Sequence, residues 1–340
     1  MASIVTPPFF VSYDTAAGFC WERPPPVVRY AAMQTSYVVT IFNKAAYLPN
    51  VLKAVEAEWR ETGGEIILVN DGSTDCSGAI LADFSAGRNH VLLHNQRNAG
   101  VTAATNLGFS LASYPLVRFV DGDDLIVRGS TRLLIQALKE GKAGFAFGRF
   151  AFYEENAPDV LSPDLACFAP KRVADPLQLM IRTQPFIPST TLVLRQAVAA
   201  CFPLPEKYCT SQDYLMGLRF ARKTSFVEVD GICCWSPAHE PDRLSSSKAR
   251  MFAESTLILA DEMQADPPWP ASYRRLAVRR AAGRALLYAE RHLHCSNRRI
   301  LWLAFIRATA LFPLARSTPN LFRDIAATYT EALQALNRYP

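Results

Sequence analysis

The chain has 340 residues, half of them hydrophobic, and a formal net charge of +5. That is enough length and apolar content for one large domain or two smaller ones with a sizeable core, which excludes a disordered or fibrous protein. Its eight cysteines include no C-x-x-C pair or zinc-ribbon spacing, so reduced thiols in a cytosolic chain are expected rather than a disulfide framework.

Residues 1–35 read as an N-terminal extension. Prolines 24–26, Asp14 and Glu22 leave no basic region followed by an apolar core, so no secretory signal is expected. Met33 directly precedes the first well-patterned strand and is an expected start site. From Ser36 strand and helix patterns alternate as a mostly parallel sheet requires. The expected strands are 36–42, 65–71, 90–95 and 115–120, and the expected helices between them are 48–60, 77–84 and 101–112. Leu52, Val55 and Trp59 sit at helical spacing in the first of these helices. A helix then runs from Arg132 to Glu140, followed by the aromatic strand GFAFGRFAFY, whose stripe reads as core. Pro-rich loops surround 159–188. They are followed by a strand at 190–195, helices from Gln196 and from Asp213, and a strand at 225–234 carrying Cys233 and Cys234, one of which alternation turns to the core.

In open α/β sheets ligands sit outside the C-terminal ends of the strands. Asn43, Asn70-Asp71 and Asp121 to Asp124 each follow an apolar run directly, so three strand ends are expected to share one acidic crevice. Asp121, Asp123 and Asp124 repel one another unless a cation lies between them. Asp-Gly-Asp-Asp is also good turn chemistry, and collection at one sheet edge favours the metal reading.

These residues form ordered blocks that resemble the family 2 glycosyltransferases of the GT-A fold, over 36–248. The blocks are VVTIFNKAAYL, EIILVNDGSTDCS, RNAGVTAATNLG, VDGDD and CTSQDYLMGLRFA. The resemblance implies an inverting, metal-dependent transfer of a sugar from a nucleotide-diphosphate donor, a UDP-sugar, to a hydroxyl of a glycan or lipid-linked saccharide. By that resemblance Thr40, Phe42, Asn43, Asp71, Arg97, Asn98, Gly100, Asp121, Gly122 and His239 contact the donor. Asp71 would accept from the uracil imide. Asp123, with Asp121 and His239, would hold Mg²⁺ or Mn²⁺, hard cations suited to oxygen ligands. Asp213 is the implied general base, taking the acceptor hydroxyl proton, while helix N-capping is its ordinary role. Three positions depart from the family pattern: Thr40 for a common proline, Asn70 for a frequent acid, and Gln212 for the glutamate beside the base. The rival readings are a degenerate nucleotide-sugar binding protein and a nucleotidyltransferase of related architecture.

From Lys248 the pattern turns helical without strands, and 249–340 reads as a C-terminal basic helical module. Between Tyr273 and Arg316 ten arginines (274, 275, 279, 280, 284, 291, 298, 299, 307, 316) face one acid, Glu290. Basic amphipathic helices of this kind suit an anionic membrane surface, and nucleic acid is not expected because no binding motif is present. The stretch 300–315 is interrupted by Arg307 and Pro313 and falls short of the roughly 20 apolar residues of a spanning helix. A cytoplasmic enzyme, peripheral at the inner face of the membrane, is therefore expected.

Overall fold

The computed structural model describes residues 34–154, 157–161, 170–238, 248–265 and 268–292. The first half alternates as expected: β1 (Thr35–Ile41), α1 (Leu48–Thr62), β2 (Gly64–Asp71), α2 (Ser77–Ser85), β3 (Val91–Gln96), α3 (Val101–Leu111) and β4 (Leu116–Asp121). After a two-residue β5 (Leu125–Ile126) come α4 (Ser130–Gly141), β6 (Phe145–Tyr153), β7 (Lys171–Arg172) and α5 (Pro176–Arg182). Next are β8 (Thr191–Leu194), α6 (Arg195–Val198), α7 (Gln212–Ala221), β9 (Phe226–Pro237), α8 (Lys248–Gln264) and α9 (Ala271–His292).

The strands form one sheet in the order β3-β2-β1-β4-β8-β6-β9-β5, with β7 also paired to β9. Its long ladders, β1 with β2 and β4, β2 with β3, and β6 with β9, are parallel, while the antiparallel pairings are short. Strand side chains alternate faces, and both faces of β1 are covered. Tyr37, Val39 and Ile41 pack with Ile66 and Leu68 against Leu48, Val51, Leu52 and Val55 of α1. On the other face α3 lies so close that a Cβ on Gly108 would come within 2.2 Å of Val38 Cγ1.

Double coverage also corrects the expectation for β9, where Cys233 and Cys234 are both buried. The aromatic stripe behaves as core in its first half: Phe145 and Phe147 are buried and pack on Phe186 and Phe226. The helix expected from Gln196 is instead the single turn of α6 followed by a 3-10 turn at Ala199–Cys201. The Pro-rich stretch contains α5, opened by Pro176, a residue that suits a first helical turn.

The chain divides into two compact units. One holds the sheet and comprises the residues up to Pro176, Pro185–Glu206 and the stretch from Phe220. The other comprises Leu177–Gln184, Lys207–Arg219 and the helices from Lys248 onward. The helical unit thus takes in two interior segments.

Candidate functional site

Ladder register places the candidate residues in a row. Thr40 pairs with Asp121, Ile41 with Asn70, and Asp71 with Gln96, so the C-terminal ends of β4, β1, β2 and β3 lie side by side. The loops leaving those ends carry Phe42 to Tyr47, Gly72 to Cys76, Arg97 to Gly100 and Gly122 to Asp124. The convergence expected from the alternating pattern is present in the sheet.

The acidic turn is built by division of labour. Gly122 donates its N–H to the Thr40 carbonyl at 3.0 Å, and a Cβ there would meet that oxygen at 3.0 Å and Lys44 Cγ at 3.3 Å. Asp124 is buried and accepts hydrogen bonds from the hydroxyls of Ser189, at 2.6 Å, and Ser236. The Ser189 hydroxyl also receives the Asp121 N–H at 3.0 Å. Asp124 is therefore the anchor that ties the turn to two neighbouring segments. Asp123 is paired with Lys44, whose Nζ lies 2.8 Å from its Oδ2. Part of the charge repulsion foreseen for three clustered carboxylates is thus relieved by Lys44 and by the two serines.

The β1–α1 and β2–α2 loops are stitched together. Asn43, with φ of 52°, accepts the Thr74 N–H at 2.8 Å on its side-chain oxygen, and its own N–H donates to Ser73 Oγ at 3.0 Å. Lys44 N–H donates to Ser77 Oγ, and Asp75 accepts the N–H groups of Ala45 and Ser77 at 2.9–3.0 Å. In the same loop pair, Asn70 donates to Asn95 Oδ1 at 2.8 Å and accepts the Ser73 N–H. An amide does both at once, which a carboxylate cannot.

Asp71 is buried and organises the third loop. Its Oδ1 accepts from Gln96 Nε2 at 2.7 Å and Ala99 N–H at 2.8 Å, and its Oδ2 accepts the Gly100 N–H at 2.8 Å. Two acceptor directions per oxygen leave Oδ2 room for one more donor. Gly100, with φ of 91°, precedes α3, and Arg97 and Asn98 are exposed beside it. Phe42 is 41% exposed, a rarity here: among the described residues Leu92 is the other large exposed hydrophobic side chain.

Asp213 lies in the first turn of α7, in the helical unit, one residue inside the helix start. Its carboxyl accepts from the Gln184 side-chain amide and from the Tyr214 N–H at 2.7 Å. Desolvation by the surrounding protein, only partly offset by these bonds, pushes its pKa up to about 6. A carboxyl so raised titrates where a general base is useful. In the same unit, the amides of Cys209 and Thr210 are taken by Glu254 at 3.0 and 2.6 Å.

Residues 36–201 match the model described as glycosyl transferase family 2. This segment is similar to the family 2 glycosyltransferases. The chain is 36% identical over 124 residues to the glycosyltransferase GlyG of Streptococcus pneumoniae, covering 36% of this chain and 40% of GlyG. The chain therefore spans well under half of that relative's length. Among solved structures, S. aureus TarS 1-349 in complex with UDP-GlcNAc superposes with a TM-score of 0.62 at 17% identity, over 89% of this chain and 92% of that one. The mannosyltransferase PcManGT of Pyrobaculum calidifontis, in complex with GDP-Man and Mn²⁺, gives 0.55 at 14% identity, over 91% and 89%. These likenesses establish the GT-A fold, a mixed α/β sheet flanked by helices, with further helices toward the C-terminus.

Among the described residues no three His, Cys, Asp or Glu side chains cluster as a ready metal cage. The oxygen donors of Asp121 and Asp123 nevertheless fit Mg²⁺ or Mn²⁺, which take one or two carboxylates and fill the remaining positions with phosphate and water. His239 lies outside the described residues, as do the arginines of 273–316 beyond 292. Of the arginines that are described, Arg274, Arg275 and Arg279 are exposed. Arg280 instead donates to the Met180 and Ile181 carbonyls at 3.1 and 2.8 Å, closing the C-terminus of α5, and stacks 4.5 Å from the Tyr214 ring. Arg284 lies 4.3 Å over Phe252. The basic stripe expected from the sequence is thus partly internal. No described helix is long and apolar enough to cross a membrane.

Lys44, Ser189 and Gln184 escaped the sequence reading. Lys44 could have been noticed as the one cation inside the first block, but nothing local marks Ser189 or Gln184, which arrive from distant loops.

Proposed function

We propose that the protein is an inverting, metal-dependent glycosyltransferase. It moves a sugar from a nucleotide-diphosphate donor, a UDP-sugar, to a hydroxyl of a glycan or lipid-linked saccharide, as in cell-surface polysaccharide synthesis. The observation that carries the reading is the row of strand ends: Thr40 is in register with Asp121, and Asp71 directly follows Asn70, the partner of Ile41, with the D-G-D turn beside them, on a fold shared with a protein crystallised with UDP-GlcNAc.

In this reading the open position on Asp71 Oδ2 accepts the uracil imide N–H, and exposed Phe42 offers its ring face to the base. Thr40, Asn43, Asn98, Gly100 and Gly122 shape the backbone around the nucleotide, Arg97 adds positive charge toward the phosphates, and His239 either donates to a phosphate or completes the metal shell. Asp123 and Asp121 would hold Mg²⁺ or Mn²⁺. Bound there, the cation would act as a Lewis acid for the departing diphosphate. Asp213 takes the acceptor hydroxyl proton as that oxygen bonds to the anomeric carbon and the bond to the diphosphate breaks, its electron pair leaving with the diphosphate oxygen. Inversion follows from a single in-line displacement. Support for Asp213 comes from a carboxyl raised toward neutrality and held by an amide rather than by a cation. Exposed Arg274, Arg275 and Arg279 are the described part of a surface for anionic lipid.

Asp213→Asn is expected to bind UDP-sugar with Mn²⁺ as the parent does while losing turnover by 10²-fold or more. Asp123→Ala is expected to weaken donor binding instead. Calorimetry together with a nucleotide-release assay separates the two, and undiminished turnover in Asp213→Asn removes that residue from the chemistry.

A further inference from the structure

Lys44 is held in place by its backbone. Its backbone N–H is fixed by Ser77 Oγ at 2.9 Å, and its carbonyl accepts the N–H groups of Tyr47 and Leu48 at 2.9 and 3.1 Å where α1 begins. Its Cγ lies over Gly122, 3.3 Å from where a Cβ would stand. Its ammonium reaches Asp123 at 2.8 Å and passes 5.9 Å from the Tyr47 ring. The two charged side chains are 17% and 12% exposed, so solvent screens this pair less than a surface pair. A flexible stem tipped by a compact ammonium can change partner without moving the backbone that carries it.

We propose that Lys44 is an exchangeable counter-cation of the donor site. Before the donor arrives it neutralises Asp123. When a divalent cation takes Asp123 together with a nucleoside diphosphate, the ammonium transfers to a diphosphate oxygen. The inference rests on the nucleotide-sugar reading and adds an order to it. Asp123 has little affinity for a free divalent cation because Lys44 already occupies its charge, so metal and diphosphate enter together. A second consequence follows from the same geometry: each binding event uses a different partner of one lysine, so removing its charge has effects of opposite sign on the two.

The test measures Mn²⁺ binding by electron paramagnetic resonance of the free ion, with and without UDP, on the full chain and on Lys44→Met, which keeps the stem and drops the charge. Lys44→Met is expected to bind Mn²⁺ alone about tenfold more tightly than the parent, and UDP with Mn²⁺ about tenfold more weakly, the order of one charge-assisted hydrogen bond. Lys44→Arg is expected to restore both values toward the parent. A variant that loses affinity in both measurements shows a damaged site and overturns the proposal, as does one that changes neither while the parent binds UDP with Mn²⁺ normally. If the parent fails to bind UDP with Mn²⁺ at all, the donor reading itself falls, and the proposal with it.

Discussion

Asp213 carries the sharpest prediction at the scale of single residues. Its pKa of about 6 lies above the value of an unfolded aspartate, so the folded state holds this proton more firmly than the unfolded state does. Two consequences of defined sign follow. As pH rises from about 4 to about 6 this group lowers folding stability, because the desolvated carboxylate must charge. Over the same range turnover rises, because the base must be unprotonated. The log of kcat/KM is expected to climb with a slope near one below about pH 6 and then level off, and Asp213→Asn is expected to melt higher than the parent at pH 8, by a margin that shrinks as pH falls and is largely gone near pH 4. An acid limb near pH 4 contradicts the assignment. The identity of this aspartate was legible in its motif, but the amide that holds it was not. Gln184 lies 29 residues upstream, and only the folded chain brings them together. The place of Asp71 at a strand end was readable, yet three of its four acceptor positions serve Gln96, at the end of β3, and the Ala99 and Gly100 amides of the third loop.

At the scale of elements, the turn after β4 is a small machine of three carboxylates with three different fates. The sequence reading gave Asp123 and Asp121 the metal and gave Asp124 no role beyond the turn, because composition cannot show which oxygen meets which hydroxyl. In the fold Asp124 is buried and tied to Ser189 and Ser236. Replacing it by alanine leaves two buried hydroxyls without their acceptor, a loss of about 2–4 kcal/mol. Urea unfolding of Asp124→Ala is expected to show that loss, whereas a loss below about 0.5 kcal/mol would mean an ordinary exposed turn position. Elements themselves were readable wherever apolar periodicity was strong, as in β1, α1 and β2. Elements missed or misjudged, α5 and α6, have only one or two turns and are stabilised by long-range partners such as Arg280 on the α5 carbonyls.

For the whole molecule, the parallel sheet and its loaded edge were legible because the alternation of patterns dictates them. The arrangement of the helical unit was not, since two interior segments join it and one of its arginines turns inward. That inward turn narrows the described basic face to Arg274, Arg275 and Arg279. Flotation of the full chain with vesicles is expected to show binding to anionic but not to zwitterionic lipid, and weakening when these three become glutamine, with each basic contact contributing roughly 1 kcal/mol near the surface. Equal flotation with both lipids, or none with either, contradicts a peripheral role for this face.

Donor recognition is tested most directly by thermal unfolding of the full chain with UDP-, GDP- and dTDP-sugars, each with and without Mn²⁺. A UDP-sugar with Mn²⁺ is expected to raise the midpoint by several degrees, since ligand at a hundredfold its Kd adds about 2.7 kcal/mol, and the same sugar without the cation is expected to do much less. No shift with any of the donors, with or without Mn²⁺, contradicts a nucleotide-sugar transferase.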